Sequence, residues 1–159
     1  MVMALAYKIP PTSGLTIGLS GLSYFWGRRL MWASEFFSDL DHDKDYYDGL
    51  IDITHASEWV TVSNTYLHDH WKASLIGHSD NNAAEDTGHL HVTQHDNYWY
   101  NIGSRTPSLR FGTGHVYNSY FNSMNTGIDT RDGAQILIQS NVFSNCTEPI
   151  AALYSDDTG

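Results

Sequence analysis

Cysteine is nearly missing from this chain: Cys146 stands alone, which excludes an intrachain disulfide and any cysteine-based zinc site. Basic residues are scarce as well. Eight Lys and Arg face 18 Asp and Glu for a formal net charge of −10, and half of the basic residues lie within the first 44 positions. Nucleic-acid binding needs clustered cations, so no nucleic-acid partner is expected. No apolar run reaches the length of a membrane span, and Met1 to Pro11 lacks a basic leader followed by a sustained apolar stretch. Neither a membrane partner nor a signal peptide is therefore expected in this chain. Leu, Glu and Lys, the residues that fill helices, are few. What remains is rich in Gly (13), Tyr (10) and His (9), with much Asn, Ser and Thr in 159 residues, a β-rich composition of one domain's length. The triplet Asn145-Cys146-Thr147 has the form of an N-glycosylation acceptor and is a slight pointer to export.

An internal repeat organises the chain. Asn followed two places later by an aromatic recurs as Asn64-Thr65-Tyr66, Asn97-Tyr98-Trp99, Asn118-Ser119-Tyr120 and Asn141-Val142-Phe143. Each follows a short strand-like run: Val60-Thr61-Val62, His91-Val92-Thr93, His115-Val116-Tyr117 and Ile136-Leu137-Ile138. The Asn-to-Asn steps are 97−64 = 33, 118−97 = 21 and 141−118 = 23, and removing a polar insert of 11 residues at His78 to Gly88 brings the first to 33−11 = 22. A strand, an Asn turn and an aromatic at a period near 22 read as one rung of a parallel β-helix. Rungs would stack roughly 4.8 Å apart. This predicts a ladder of the four asparagines and, two residues on, aromatics that point inward and stack. Upstream of Glu35 the pattern fails, so residues 1–34 are read as an irregular segment and 35–159 as central rungs of a coil truncated at both ends.

Phase within the rung then groups the charges. Lys72 lies 72−64 = 8 residues after its Asn and Arg105 lies 105−97 = 8 after the next, which puts the two cations on one face of adjacent rungs. Counting back from Asn64 places Asp48 and Asp52 on that face one rung earlier, with Arg110 at its edge. Two acids and three bases on one side of a rigid scaffold form a candidate site for an anionic substrate with a metal. The carboxylates favour calcium among metals. Along an extended strand four residues span about 13 Å, so Asp48 and Asp52 can share an ion only if the chain bends at Gly49. Histidines offer a rival: His68-Asp69-His70 and His89-Leu90-His91 would place alternate imidazoles on one strand face, with His95 nearby, as a zinc pair. No Gly-x-Ser-x-Gly elbow is present.

These residues carry a resemblance. Asp48-Gly49-Leu50-Ile51-Asp52, then Trp59 to Asn64, His68-Asp69-His70-Trp71-Lys72, and Arg105-Thr106-Pro107-Ser108-Leu109-Arg110-Phe111-Gly112 with His115 to Asn118 look, in this order, like pectate lyases of the first polysaccharide lyase family, closest to its fungal branch. The resemblance runs from about Phe36 to the end of the chain. It implies an all-β, right-handed, single-stranded parallel β-helix of the pectin lyase-like type. The implied reaction is calcium-dependent β-elimination of α-1,4-polygalacturonate to 4,5-unsaturated oligogalacturonides by a secreted monomer. By the same likeness Asp48 and Asp52 match calcium ligands, Arg105 the catalytic base, and Lys72 and Arg110 substrate-binding cations. An arginine base acts in its neutral form, which implies an alkaline rate optimum. One departure stands upstream: Trp32 falls where the family carries a further calcium-ligating Asp, and the chain is about half the family's length. The alternative is thus a catalytically impaired solenoid that at most binds acidic oligosaccharide.

Overall fold

The structure is a computed structural model that describes residues 15–17, 44 and 49–152. Its strands form three sheets, all paired in parallel. Sheet A contains β1 (Leu15–Ile17), β3 (Val60–Ser63), β6 (His91–His95), β9 (Thr113–Tyr117) and β12 (Gln135–Gln139). Sheet C contains β4 (Tyr66–Lys72), β7 (Tyr98–Ser104), β10 (Tyr120–Met124) and β13 (Val142–Ser144). Sheet B contains β2 (Ile51–Ile53), β5 (Ser74–Ile76), β8 (Ser108–Arg110), β11 (Thr126–Arg131) and β14 (Glu148–Ala152). The chain visits A, C and B in turn and then repeats, so each circuit lays one strand on every sheet. That is the parallel β-helix the 22-residue period announces. Within the segment read as irregular, β1 pairs with β3, Leu15 opposite Val60. The residues around the 34/35 boundary lie outside those described.

Past the insert the rung step on sheet A is 22 residues: His91 pairs with Thr113 and Thr113 with Gln135, steps of 113−91 = 22 and 135−113 = 22, while sheet B departs by one, with 74−51 = 23 and 129−108 = 21. The earlier step is longer, 92−60 = 32, so the insert adds 32−22 = 10 residues. It lies between β5 and β6, as the polar stretch suggested, and carries a 3₁₀ turn (Asp80–Asn82) and a one-turn helix α1 (Ala83–Asp86). Asp86 is fully buried and anchors the insert, accepting the Ala56 N–H at 2.8 Å and Asn82 Nδ2–H at 2.9 Å.

The asparagine ladder is real, but its membership differs from the expectation. Thr65, Asn97, Ser119 and Asn141 form the column: Asn97 Oδ1 accepts the Thr65 N–H at 3.0 Å, Ser119 Oγ accepts the Asn97 N–H at 3.2 Å, and Asn141 Oδ1 accepts the Ser119 N–H at 2.9 Å. Asn64 and Asn118 stand one residue earlier, in a second column with Asp96 and Ser140 where every φ lies between 51° and 55°. Asn tolerates that left-handed conformation better than most residues, so it is used there for its backbone and in the ladder for its amide.

The one-residue difference flips the aromatics, because strand side chains alternate faces. Trp99, Phe121 and Phe143 face inward beside Leu67, with ring centroids 5.8 and 4.7 Å apart. Tyr66, Tyr98 and Tyr120 stack along the outside at 4.8 and 5.2 Å. Of the four aromatics expected inside, Trp99 and Phe143 are there, whereas Tyr66 and Tyr120 belong to the outer stack.

Candidate active site at the C-to-B corner

Each circuit passes from sheet C to sheet B through a corner, and hydrogen bonds join that corner along successive rungs. Ala73 O accepts the N–H groups of both Leu50 (2.9 Å) and Ile51 (2.8 Å). Ser104 O accepts the Ala73 N–H at 3.2 Å, and Arg105 O accepts the Ser74 N–H at 2.7 Å. Lys72 and Arg105 therefore flank one corner on adjacent rungs, and Asp52 stands one rung before Lys72, just past that corner, inside β2 and opposite Leu75. Asp48 lies outside the described residues.

The shared phase holds to within one residue. Lys72 pairs with Ser104 rather than Arg105, because the counting origins Asn64 and Asn97 sit in different columns. The Arg105 corner is also one residue longer than its neighbour, since 104−72 = 32 while 108−75 = 33. The added residue falls between Ser104 and Ser108, where Arg105 has φ 59° and the Thr106–Pro107 peptide is cis.

In the middle of β2, Asp52 alternates with the buried Ile51 and Ile53 and so faces out of sheet B, half-buried. Gly49 is buried beside it, and a Cβ there would stand 3.0 Å from Asp52 Oδ1. Its φ is not left-handed. The contribution of this glycine is space against a carboxylate, not the conformational freedom the sequence suggested.

Beneath Lys72, the imidazole of His70 is buried and its Nδ1–H donates to Lys72 O at 2.7 Å. His68 is on the other face, with Nδ1 2.8 Å from Asp69 Oδ2. The zinc alternative needed both imidazoles on one face, but Asp69 at φ 50° breaks the alternation between them. His89 and His91 do converge, though on Glu58: their Nδ1 atoms lie 2.8 and 2.6 Å from its two carboxylate oxygens. Burial alone would raise the Glu58 pKa, and the two imidazole hydrogen bonds outweigh it, holding the carboxyl below its usual range. Among the described residues no group of three or more His, Cys, Asp or Glu side chains is arranged to hold a metal ion.

Arg110 lies at the far end of β8. Its Nη1–H donates to Gly77 O at 3.0 Å and its Nε–H to Asp80 Oδ1 at 2.6 Å, with Asp132 Oδ2 3.1 Å from the same Nε. Gly77, at φ 81°, makes this pose possible, since a Cβ there would stand 2.9 Å from Arg110 Cβ. The sequence reading missed both carboxylates. Asp80 sits inside the insert that was set aside to restore the period, and Asp132 follows β11 on the next rung.

A parallel β-helix with a lysine and an arginine at one corner of adjacent rungs, and an acid just past it on the rung before, defines a solenoid protein with a charged, enzyme-like site. The chain belongs to the pectate lyase family, whose model matches residues 19–158. It is 59% identical over 152 residues to the probable pectate lyase A of Neosartorya fischeri, covering 96% of this chain and 45% of that protein. It thus spans less than half the length of that relative. Among solved structures, one from work on substrate specificity and the anti β-elimination mechanism of pectate lyase matches with TM-score 0.64 and 29% identity over 73% of this chain and 33% of that one. A pectate lyase from Bacillus sp. N165, solved in complex with trigalacturonate, matches with TM-score 0.55 and 27% identity over 65% and 43%.

Proposed function

We propose that this chain carries the central rungs and catalytic corner of a secreted, monomeric, calcium-dependent pectate lyase, which cleaves α-1,4-linked polygalacturonate by β-elimination to 4,5-unsaturated oligogalacturonides. The observation that supports it most is the C-to-B corner, where Lys72 and Arg105 stand on adjacent rungs joined through the carbonyls of Ala73, Ser104 and Arg105, with Asp52 just past it on the rung before.

The residues at the corner suit calcium. Asp52 and, by the family resemblance, Asp48 would supply hard oxygen donors, and Gly49 leaves open the space beside Asp52 Oδ1 that a Cβ would fill. When bound, the ion would neutralise a galacturonate carboxylate and so acidify the proton at C5. Arg105, in its neutral form, would take that proton, and loss of the C4 oxygen would complete the elimination. Lys72 and Arg110 would hold substrate carboxylates and stabilise the charge that develops as the proton leaves.

The test is the ultraviolet absorbance of unsaturated product on polygalacturonate, with and without chelator. Product should form only with calcium, faster toward alkaline pH. Arg105→Lys should lower the rate by about 100-fold or more. Full activity in chelator, or in Arg105→Lys, would refute the assignment. The alternative of an inert acidic-oligosaccharide binder has its support in Trp32, which lies outside the described residues, and no heat on titration with millimolar calcium would favour it.

A further inference from the structure

Arg110 meets solvent through a side chain only 11% exposed, and carboxylates of this chain already hold its guanidinium. Asp80 makes the closer approach, 2.6 Å to Nε, yet its own side chain is 72% exposed. A carboxylate so placed presents to Arg110 the same group that a galacturonate residue would. Its backbone position is fixed on both sides: Ser79 Oγ accepts the Asn81 N–H at 3.2 Å, Asn82 Nδ2 donates to Glu85 and Asp86, and buried Asp86 binds the Ala56 N–H. Behind Arg110, the Gly77 carbonyl and Asp132 complete the pocket.

Resting on the lyase reading, we propose that Asp80 is a resident competitor for the substrate carboxylate at Arg110, and so sets the affinity for acidic oligosaccharide. An incoming carboxylate exchanges charge for charge with Asp80, which returns to water at little cost because it is mostly exposed. Asp132, only 24% exposed, stays as the second partner and keeps the guanidinium in place. The exchange weakens binding of substrate and product alike, which keeps an anionic product from being retained on a cationic site.

The experiment is calorimetric titration of trigalacturonate into wild-type protein and variants, at fixed calcium and about 0.15 M salt to screen long-range charge. Asp80→Asn should lower Kd by about two- to five-fold, the range that loss of an exposed ion pair implies. The gain should vanish in an Arg110→Gln background, or in Arg110→Lys if the Gln variant is unstable. Asp96→Asn, which removes a charge from the A-to-C corner, should leave Kd unchanged. Equal Kd for wild type and Asp80→Asn would overturn the competition while leaving the lyase reading intact, as would a gain that persists without Arg110. Absence of binding by every protein would overturn both.

Discussion

Asn97 and Asn118 look equivalent in the sequence, each an Asn two residues before an aromatic, but the structure gives them different work. Asn97 is buried, and its amide serves two main-chain groups that are themselves buried: Oδ1 accepts the Thr65 N–H and Nδ2 donates to Val62 O, both at 3.0 Å. Asn97→Ala strands that donor and that acceptor inside the coil. Each stranded group costs about 1–3 kcal/mol, so the loss should be about 2–6 kcal/mol, a large share of a typical domain's 5–15. Asn118 is exposed and holds φ 51°. Asn118→Ala should cost only the left-handed backbone penalty, about 1 kcal/mol. Urea unfolding checks both. With m about 2 kcal/mol/M, the midpoint should fall by about 1–3 M for Asn97→Ala and by about 0.5 M for Asn118→Ala at unchanged m. An Asn118→Ala loss equal to or above that of Asn97→Ala would refute the assignment of the two columns.

The remaining expectations concern Arg110 and the Glu58 cluster. Gly77→Ala should destabilise the fold by about 1–2 kcal/mol and loosen Arg110, because it adds a Cβ at φ 81° that would stand 2.9 Å from Arg110 Cβ. Urea midpoints should fall and the Kd for trigalacturonate should rise, and unchanged values of both would refute it. Glu58 titrates below its reference of 4.5 in the folded chain, so its contribution is complete above that pH and is lost as pH falls toward the depressed folded value. Glu58→Gln should therefore flatten stability against pH just below 4.5, measured by thermal unfolding across the acid limb, whereas an unaltered slope would show that the two imidazoles do not hold the carboxylate.

The period was legible in the sequence because uninterrupted rungs stay within one residue of 22, as the His91, Thr113 and Gln135 register and the 21- and 23-residue steps of sheet B show. The column was not, because two adjacent turn positions both favour Asn, one for its tolerance of positive φ and one for its amide. Within a strand a slip of one residue exchanges inside for outside. That is why Tyr66 and Tyr120 were expected in the core and stand in the outer stack. The charged corner tolerated the same error. Where the chain turns from sheet C to sheet B no face alternation applies, and one residue moves a position by only about 3.3 Å. Counting thus brought Lys72 and Arg105 to adjacent rungs although Lys72 pairs with Ser104, whereas Asp52 lies opposite Leu75 within β2. Arg110 could be placed near the site but its partners could not, because Asp80 reaches it from an insert outside the repeat and Asp132 from the turn after β11. A repeat predicts what every rung shares. The carboxylates that govern Arg110 come from where the rungs differ, so the features that tune this site are the ones a period cannot reveal.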